Sequence, residues 1–192
     1  MALNSSTKES FTVTPNLSEL PAEDGRTHIN IYSSGITRLG RLLSNLANSP
    51  VVFGDVRYNS AEAFWYCNLI ECSHRVDGFD VKKKPWSDLR TAYGGYAKKL
   101  GRTLCDEAGI TDEEKIEITS SEAFRRAFRV ALRSKVELNE ELARLLAEST
   151  LPFKHYYYYG MKVPYRVIEL PHHDWQLMFW EGLRQELKEE TT

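Results

Sequence analysis

Cysteine is scarce in this chain. Cys67, Cys72 and Cys105 are an odd number with no Cys-x-x-Cys pair, which excludes a disulfide framework and the ligand spacing of a zinc site. Cys67 and Cys105 read instead as buried thiols of a reducing compartment. Long apolar runs are missing as well, since none approaches the ~18 residues of a membrane span. The first residues lack the charged-then-apolar layout of a secretory signal. Nor is there an excess of one charge: the formal net charge is −2 and the pI near 6.2. That balance argues against a dedicated nucleic-acid coat held by charge, while leaving room for a local basic groove. No internal repeat is visible. These absences lead us to expect a cytoplasmic protein that does not span a membrane.

What is present is ordinary globular composition, 42% apolar and 27% charged over 192 residues, the size of one domain. Residues 1–26 are rich in Ser, Thr, Asn, Pro and acids and have no sustained period, so we expect a flexible tail there and a single domain over 27–190. Strand-like alternation runs from His28 to Tyr32, and two short strand pieces flank Gly54–Asp55 as a hairpin. Helical patterns follow at Ser60–Cys72, Tyr96–Ala108, Ser120–Lys135 and Leu138–Glu148, where Leu142, Leu145 and Leu146 form an i, i+3, i+4 stripe. Ser73–Pro85 reads as a polar loop. Pro152 breaks the helical run, Tyr156–Tyr159 and Tyr165–Leu170 read as a second strand pair around Gly160, and a last helix spans Asp174–Lys188. The expected class is α+β, mostly helical with small antiparallel strand pairs.

Residues 42–66 carry the most chemical information. A turn-rich apolar entry, Leu42–Pro50, leads to Val51–Phe53, a Gly54–Asp55 turn, Val56–Tyr58, and a helix starting after Asn59–Ser60 with Glu62 in its first turn. A carboxylate there lies beside free N–H groups and the positive pole of the helix, which favours its ionised form. By composition alone, Glu62 is a dipole partner of the helix. However, Leu43–Ser44–Asn45, Pro50, Gly54, Tyr58, Ser60 and Glu62 stand in the order and spacing of the opening motif of the NADAR family, the YbiA-like proteins. Further segments extend the resemblance. Ala97–Lys98–Lys99–Leu100–Gly101–Arg102 resembles the family's Ala-Lys-x-Leu-Gly-Arg, and Ala131–Leu132, Lys135, Asn139 and Leu142 resemble its penultimate helices. Glu169 and Asp174 repeat a Glu–Asp pair five residues apart. The resemblance covers about residues 39–184.

What the resemblance implies is a YbiA-like fold and an N-glycosidase that hydrolyses a ribosyl–nitrogen bond in an ADP-ribosylated or related nucleotide, such as ADP-ribosylated guanine. Such a bond breaks through an oxocarbenium-like state, which suits one carboxylate near the developing cation and a second that handles water. Glu62 and Asp174 are the candidate catalytic residues. Ser44, Asn45, Trp65, Lys98, Arg102 and Lys135 are candidates for substrate binding, the cations for a diphosphate. The block His155–Tyr159 lies outside the family pattern. Alternation sends Tyr156 and Tyr158 to one face and Tyr157 and Tyr159 to the other. Tyr156 and Tyr158 are taken as the base-stacking pair.

The chain also departs from the family pattern. Leu69 stands where a Lys is usual, no Trp occurs near Thr119–Ser121, and the tail Asp-x-x-Trp-Gly is unmatched, with Leu177 in place of Trp. Those gaps keep open an ADP-ribose or nucleotide-binding module that has lost catalysis. The Arg125, Arg129, Arg133 stripe and the tyrosine block would suit a nucleic-acid or protein interaction domain on the same fold, although a stripe of that kind is by default a solvated face. His155, His172, His173 and Asp174 do not make a metal site, since adjacent histidines in a strand-to-helix turn rarely converge. No cofactor is expected. The expected partner is an ADP-ribose-containing nucleotide or ADP-ribosylated nucleic acid.

Overall fold

The structure, a computed structural model, describes residues 16–170 and 174–190. Its centre is the helix α2, Ala61–Ser73, which is buried on nearly every side: Ala61, Ala63, Phe64, Tyr66, Cys67, Leu69 and Ile70 are all enclosed. Continuous apolar sequence without amphipathic phase has this outcome, because such a helix has no face to give to water. The Ser60 hydroxyl starts it, accepting from the Ala63 N–H at 3.1 Å and donating to the Ala92 carbonyl at 3.0 Å, so one buried hydroxyl both caps the helix and ties it to the next segment.

Around α2 pack α3 (Trp86–Arg90), α4 (Gly94–Glu107), α5 (Asp112–Ser120) and α6 (Glu122–Glu137), with α1 (Arg38–Leu43), α7 (Glu140–Glu148) and α8 (Asp174–Glu190) outside them. Phe64, Phe124 and Phe128 form the aromatic heart between α2 and α6, with the Phe64 and Phe128 rings stacked 6.0 Å apart. Rings placed this way add roughly 0.5–1.5 kcal/mol to their area burial. α5 was not expected as a helix. It buries no residue and so shows no apolar stripe; its sequence signal is the capping box of Thr111 with Glu114.

The strands form three small groups. β3 (Val51–Phe53) and β4 (Val56–Tyr58) make the expected hairpin. β6 (Tyr156–Tyr159) pairs antiparallel with β7 (Tyr165–Glu169), with Tyr157 opposite Ile168. β1 (Asn16–Ser18) adds a third antiparallel strand on the other edge of β7. The pair β2 (Ile29–Asn30) and β5 (Phe153–Lys154) is parallel and stands beside the two expected antiparallel pairs; its partners are too far apart in sequence for a turn to set their direction.

The N-terminal boundary expected at residue 26 falls inside a packed segment. Besides β1, the buried Asp24 carboxylate accepts from the Asn30 N–H at 2.9 Å and the Ile36 N–H at 2.7 Å. These bonds are made by backbone edges and one acid, neither of which leaves a periodic trace in the sequence. Residues 1–15 lie outside the described residues. The described helices include none long and apolar enough to cross a membrane.

Candidate functional site

The end of α1, the start of α2 and one side of α4 enclose a cavity of about 320 Å³, closed further by Tyr32, Tyr157 and Gln176. Helix α1 stops at Leu43, so the backbone of Ser44–Leu46 is free to form the rim. The Asn45 carbonyl accepts from the Glu62 N–H at 2.9 Å, which joins this rim to the first turn of α2. Glu62 lines the cavity, and burial raises its carboxyl pKa against the opposing pull of Lys98 and Arg102. The helix pole had been expected to keep this group ionised. Desolvation acts the other way, and it outweighs the two nearby cations.

Lys98 and Arg102, four residues apart on α4, point to the same side. Lys98 Nζ lies 5.2 Å from the centre of the Tyr157 ring, within cation–π range. The Arg102 guanidinium faces the hydroxyl of Tyr66, one turn beyond Glu62 on α2, while burial pushes that phenol up to about 12. Trp65 also lines the cavity and sets its ring edge-on to Phe124 at 4.7 Å and Phe128 at 4.9 Å.

Helix α4 comes this close to α2 because residue 101 is glycine. A Cβ at Gly101 would lie 2.2 Å from Tyr66 Cγ and 2.8 Å from Tyr66 Cβ. Those atoms sit near the α2 backbone and cannot swing aside, so any larger residue forces the helices apart. A mid-helix glycine costs roughly 0.5–1 kcal/mol relative to alanine, and here it opens the notch that holds the Tyr66 ring.

Six of the residues singled out from the sequence therefore come together: Ser44, Asn45, Glu62, Trp65, Lys98 and Arg102 line one cavity. Four do not line it. Asp174 is exposed at the start of α8, where an acid serves the helix pole. The wall position belongs to Gln176, two residues on. Its Oε1 accepts from Asn45 Nδ2 at 3.3 Å, and its amide nitrogen has no hydrogen-bond partner among the described residues. Lys135 is fully buried behind the rim, donating from Nζ to the Ser44 carbonyl at 2.8 Å, and burial lowers it to about 7. It supports the rim from within the core and does not reach a diphosphate in the cavity.

The tyrosine alternation is present with the opposite phase from the one chosen. Tyr156 is core, its hydroxyl 2.7 Å from His28 Nε2, and the Tyr158 hydroxyl donates to the Ser34 carbonyl at 2.8 Å. Tyr157 faces the cavity. Among the described residues Glu62 is the only carboxylate in the lining, and no group of three His, Cys, Asp or Glu side chains is placed to hold a metal ion. His172 and His173 lie outside the described residues. Tyr66, Tyr157 and Gln176 were missed by sequence reading. Tyr66 had a usable signal, since i and i+4 share a helix face.

The chain is similar in fold to the E. coli protein YbiA, solved by NMR: the two share 15% identity and superpose with a TM-score of 0.50 over 94% of this chain and 92% of that one. No family model and no curated protein sequence matches the chain. At this identity the likeness establishes a YbiA-like fold.

Proposed function

We propose that this chain with a YbiA-like fold is an N-glycosidase that hydrolyses a ribosyl–nitrogen bond in an ADP-ribosylated or related nucleotide. The observation that carries the reading is the desolvated Glu62 carboxyl beside Lys98 and Arg102 in a cavity walled by Trp65 and Tyr157. A nucleotide has complementary parts: an anionic diphosphate for the cations, a flat base for the rings, and a sugar that becomes cationic as its bond to nitrogen breaks. Burial makes Glu62 a stronger base than a free carboxylate, suited to taking a proton from water near neutral pH. The charged form also stabilises the developing oxocarbenium ion.

The test is incubation with an oligonucleotide bearing ADP-ribosylated guanine, followed by chromatography for released ADP-ribose. Release is expected, and its absence would remove the activity. One observation favours a second reading, a nucleotide-binding module without turnover: among the described residues the cavity lining has a single carboxylate, where glycosidases generally use a pair. Saturable binding of ADP-ribose with no release from the oligonucleotide would select that module.

A further inference from the structure

A cavity with one acid needs another group to hold the attacking water. We infer that Tyr66 is that group: its phenol O–H positions the water that Glu62 activates. The inference rests on the hydrolase reading above and deepens it.

Three observations converge on Tyr66. It lies one helical turn from Glu62, with its ring enclosed and part of its side chain in the cavity lining. The ring is seated by the Gly101 notch, in which even a methyl group on α4 would meet Cβ and Cγ of the tyrosine. The Arg102 guanidinium stands beside its oxygen. A guanidinium only donates, so the phenol O–H is left to donate elsewhere, and a water entering the cavity would give it an acceptor. The phenol stays protonated throughout the neutral range because burial and Glu62 both oppose its ionisation. Tyr66 is therefore a fixed donor and not a base.

In the reaction, the water oxygen bonds to the anomeric carbon as the carbon–nitrogen bond breaks and the nitrogen keeps the electron pair. One water proton passes to the Glu62 carboxylate and from there to the departing nitrogen. Tyr66 gives up no proton; its hydrogen bond fixes where the water stands. A second lone pair of the water remains directed at the sugar.

The test is Tyr66→Phe, which keeps the ring in its notch and removes only the hydroxyl. Using the oligonucleotide with ADP-ribosylated guanine, kcat should fall by ~10-fold or more while KM stays within about twofold, as expected for a group acting on the water and not on substrate binding. The melting temperature should stay within about 1 °C, because the packing is retained. Methanol added as a competing nucleophile should take a larger share of the product in the variant than in the wild type. An unchanged kcat, a loss expressed only in KM, an unaltered methanol share or a collapse in melting temperature would each overturn the assignment. A wild-type chain without turnover removes the hydrolase reading and this one with it. An active wild type with a normal Tyr66→Phe variant removes this one alone.

Discussion

Two concave regions of this molecule carry cations, and they treat charge in opposite ways. The groove between α6 and α8 is the larger, about 670 Å³, and is bordered by Arg126, Arg129 and Arg133 with Val130 and Met178. Two of these arginines are paired at the surface: Arg129 with Glu122, and Arg133 with Glu186 at 2.5 Å, with the side chains open to solvent. Pairs of this kind contribute roughly 0.2–1 kcal/mol and are screened by salt. In the cavity around Glu62 the carboxyl is desolvated and its pKa raised despite the nearby cations. Holding charge out of water is costly, and shifts of this kind cluster at functional clefts. Size and the number of arginines favour the groove, whereas desolvation favours the cavity, and desolvation is the better guide to chemistry.

The sharpest way to break that contrast is to neutralise one charge in each region. Glu62→Gln keeps shape and removes the charge opposite a cationic transition state, so turnover should fall by ~10²-fold or more. Arg133→Gln in the groove should leave turnover within about twofold, since a surface ion pair far from the reacting bond contributes so little. Release of ADP-ribose from the modified oligonucleotide measures both. Equal losses would mean that the groove takes part in the reaction and that the contrast is false.

The glycines of the two regions differ as the charges do. Gly101→Ala drives a methyl group into the Tyr66 ring, and overpacking of that kind costs ~1–3 kcal/mol. Chemical denaturation should show the loss in its midpoint. Activity should fall with it, because the displaced ring belongs to the cavity wall. A stable Gly101→Ala protein would show that α2 and α4 can part without strain.

Helix α6 shows both treatments of charge on its two sides, with Arg133 outward and Lys135 inward. Lys135 ordinarily titrates near 10.5 and is lowered by burial to about 7. Between those values the unfolded chain holds a proton that the folded chain lacks, so stability should rise with pH from about 7 to about 10.5, by at most ~1.4 kcal/mol per pH unit. Below about pH 7 both states are protonated and the folded chain carries the full cost of a buried ammonium. Lys135→Met should flatten this slope, as read from urea denaturation at pH 7.5 and 9.5. An identical slope in the variant would mean that Lys135 stays charged in the fold, held by the Ser44 carbonyl.

How much of this was legible depended on how local each signal was. Ser60 and Glu62 were readable as a helix start because cap and first turn act within a single helix, whereas a site role for Glu62 and for the Lys98–Arg102 segment was readable only through the family resemblance of those segments. Lys135 was misread as a cavity residue, although its place on the buried stripe of Phe124, Phe128, Ala131 and Leu132 is visible in the same spacing. Asp174 was misread for a more basic reason: an acid that opens a helix looks the same in sequence whether it serves the helix pole or a substrate. Alternation gave the tyrosine pairs but not their phase, which is set by His28 and Ser34, more than a hundred residues away. The parallel pairing of β2 with β5 and the edge strand β1 also rest on distant partners, so no window of local sequence contains them.

The smallest effect lies in the groove. Gly182 sits within α8 on the exposed side, and a Cβ there would meet nothing within 4 Å. Glycine in a helix interior gives up roughly 0.8–1.0 kcal/mol relative to alanine through backbone entropy. Gly182→Ala should therefore stabilise the chain by up to that amount, the opposite sign from Gly101→Ala although both residues are helical glycines. Turnover should be unchanged. The two substitutions differ only in what the new methyl group meets, a tyrosine ring in one case and open space in the other. Denaturation midpoints for the pair measure that difference directly. A destabilised Gly182→Ala protein would mean that the groove holds α8 more tightly than its open surface indicates, and the groove would then have to be treated as a built site.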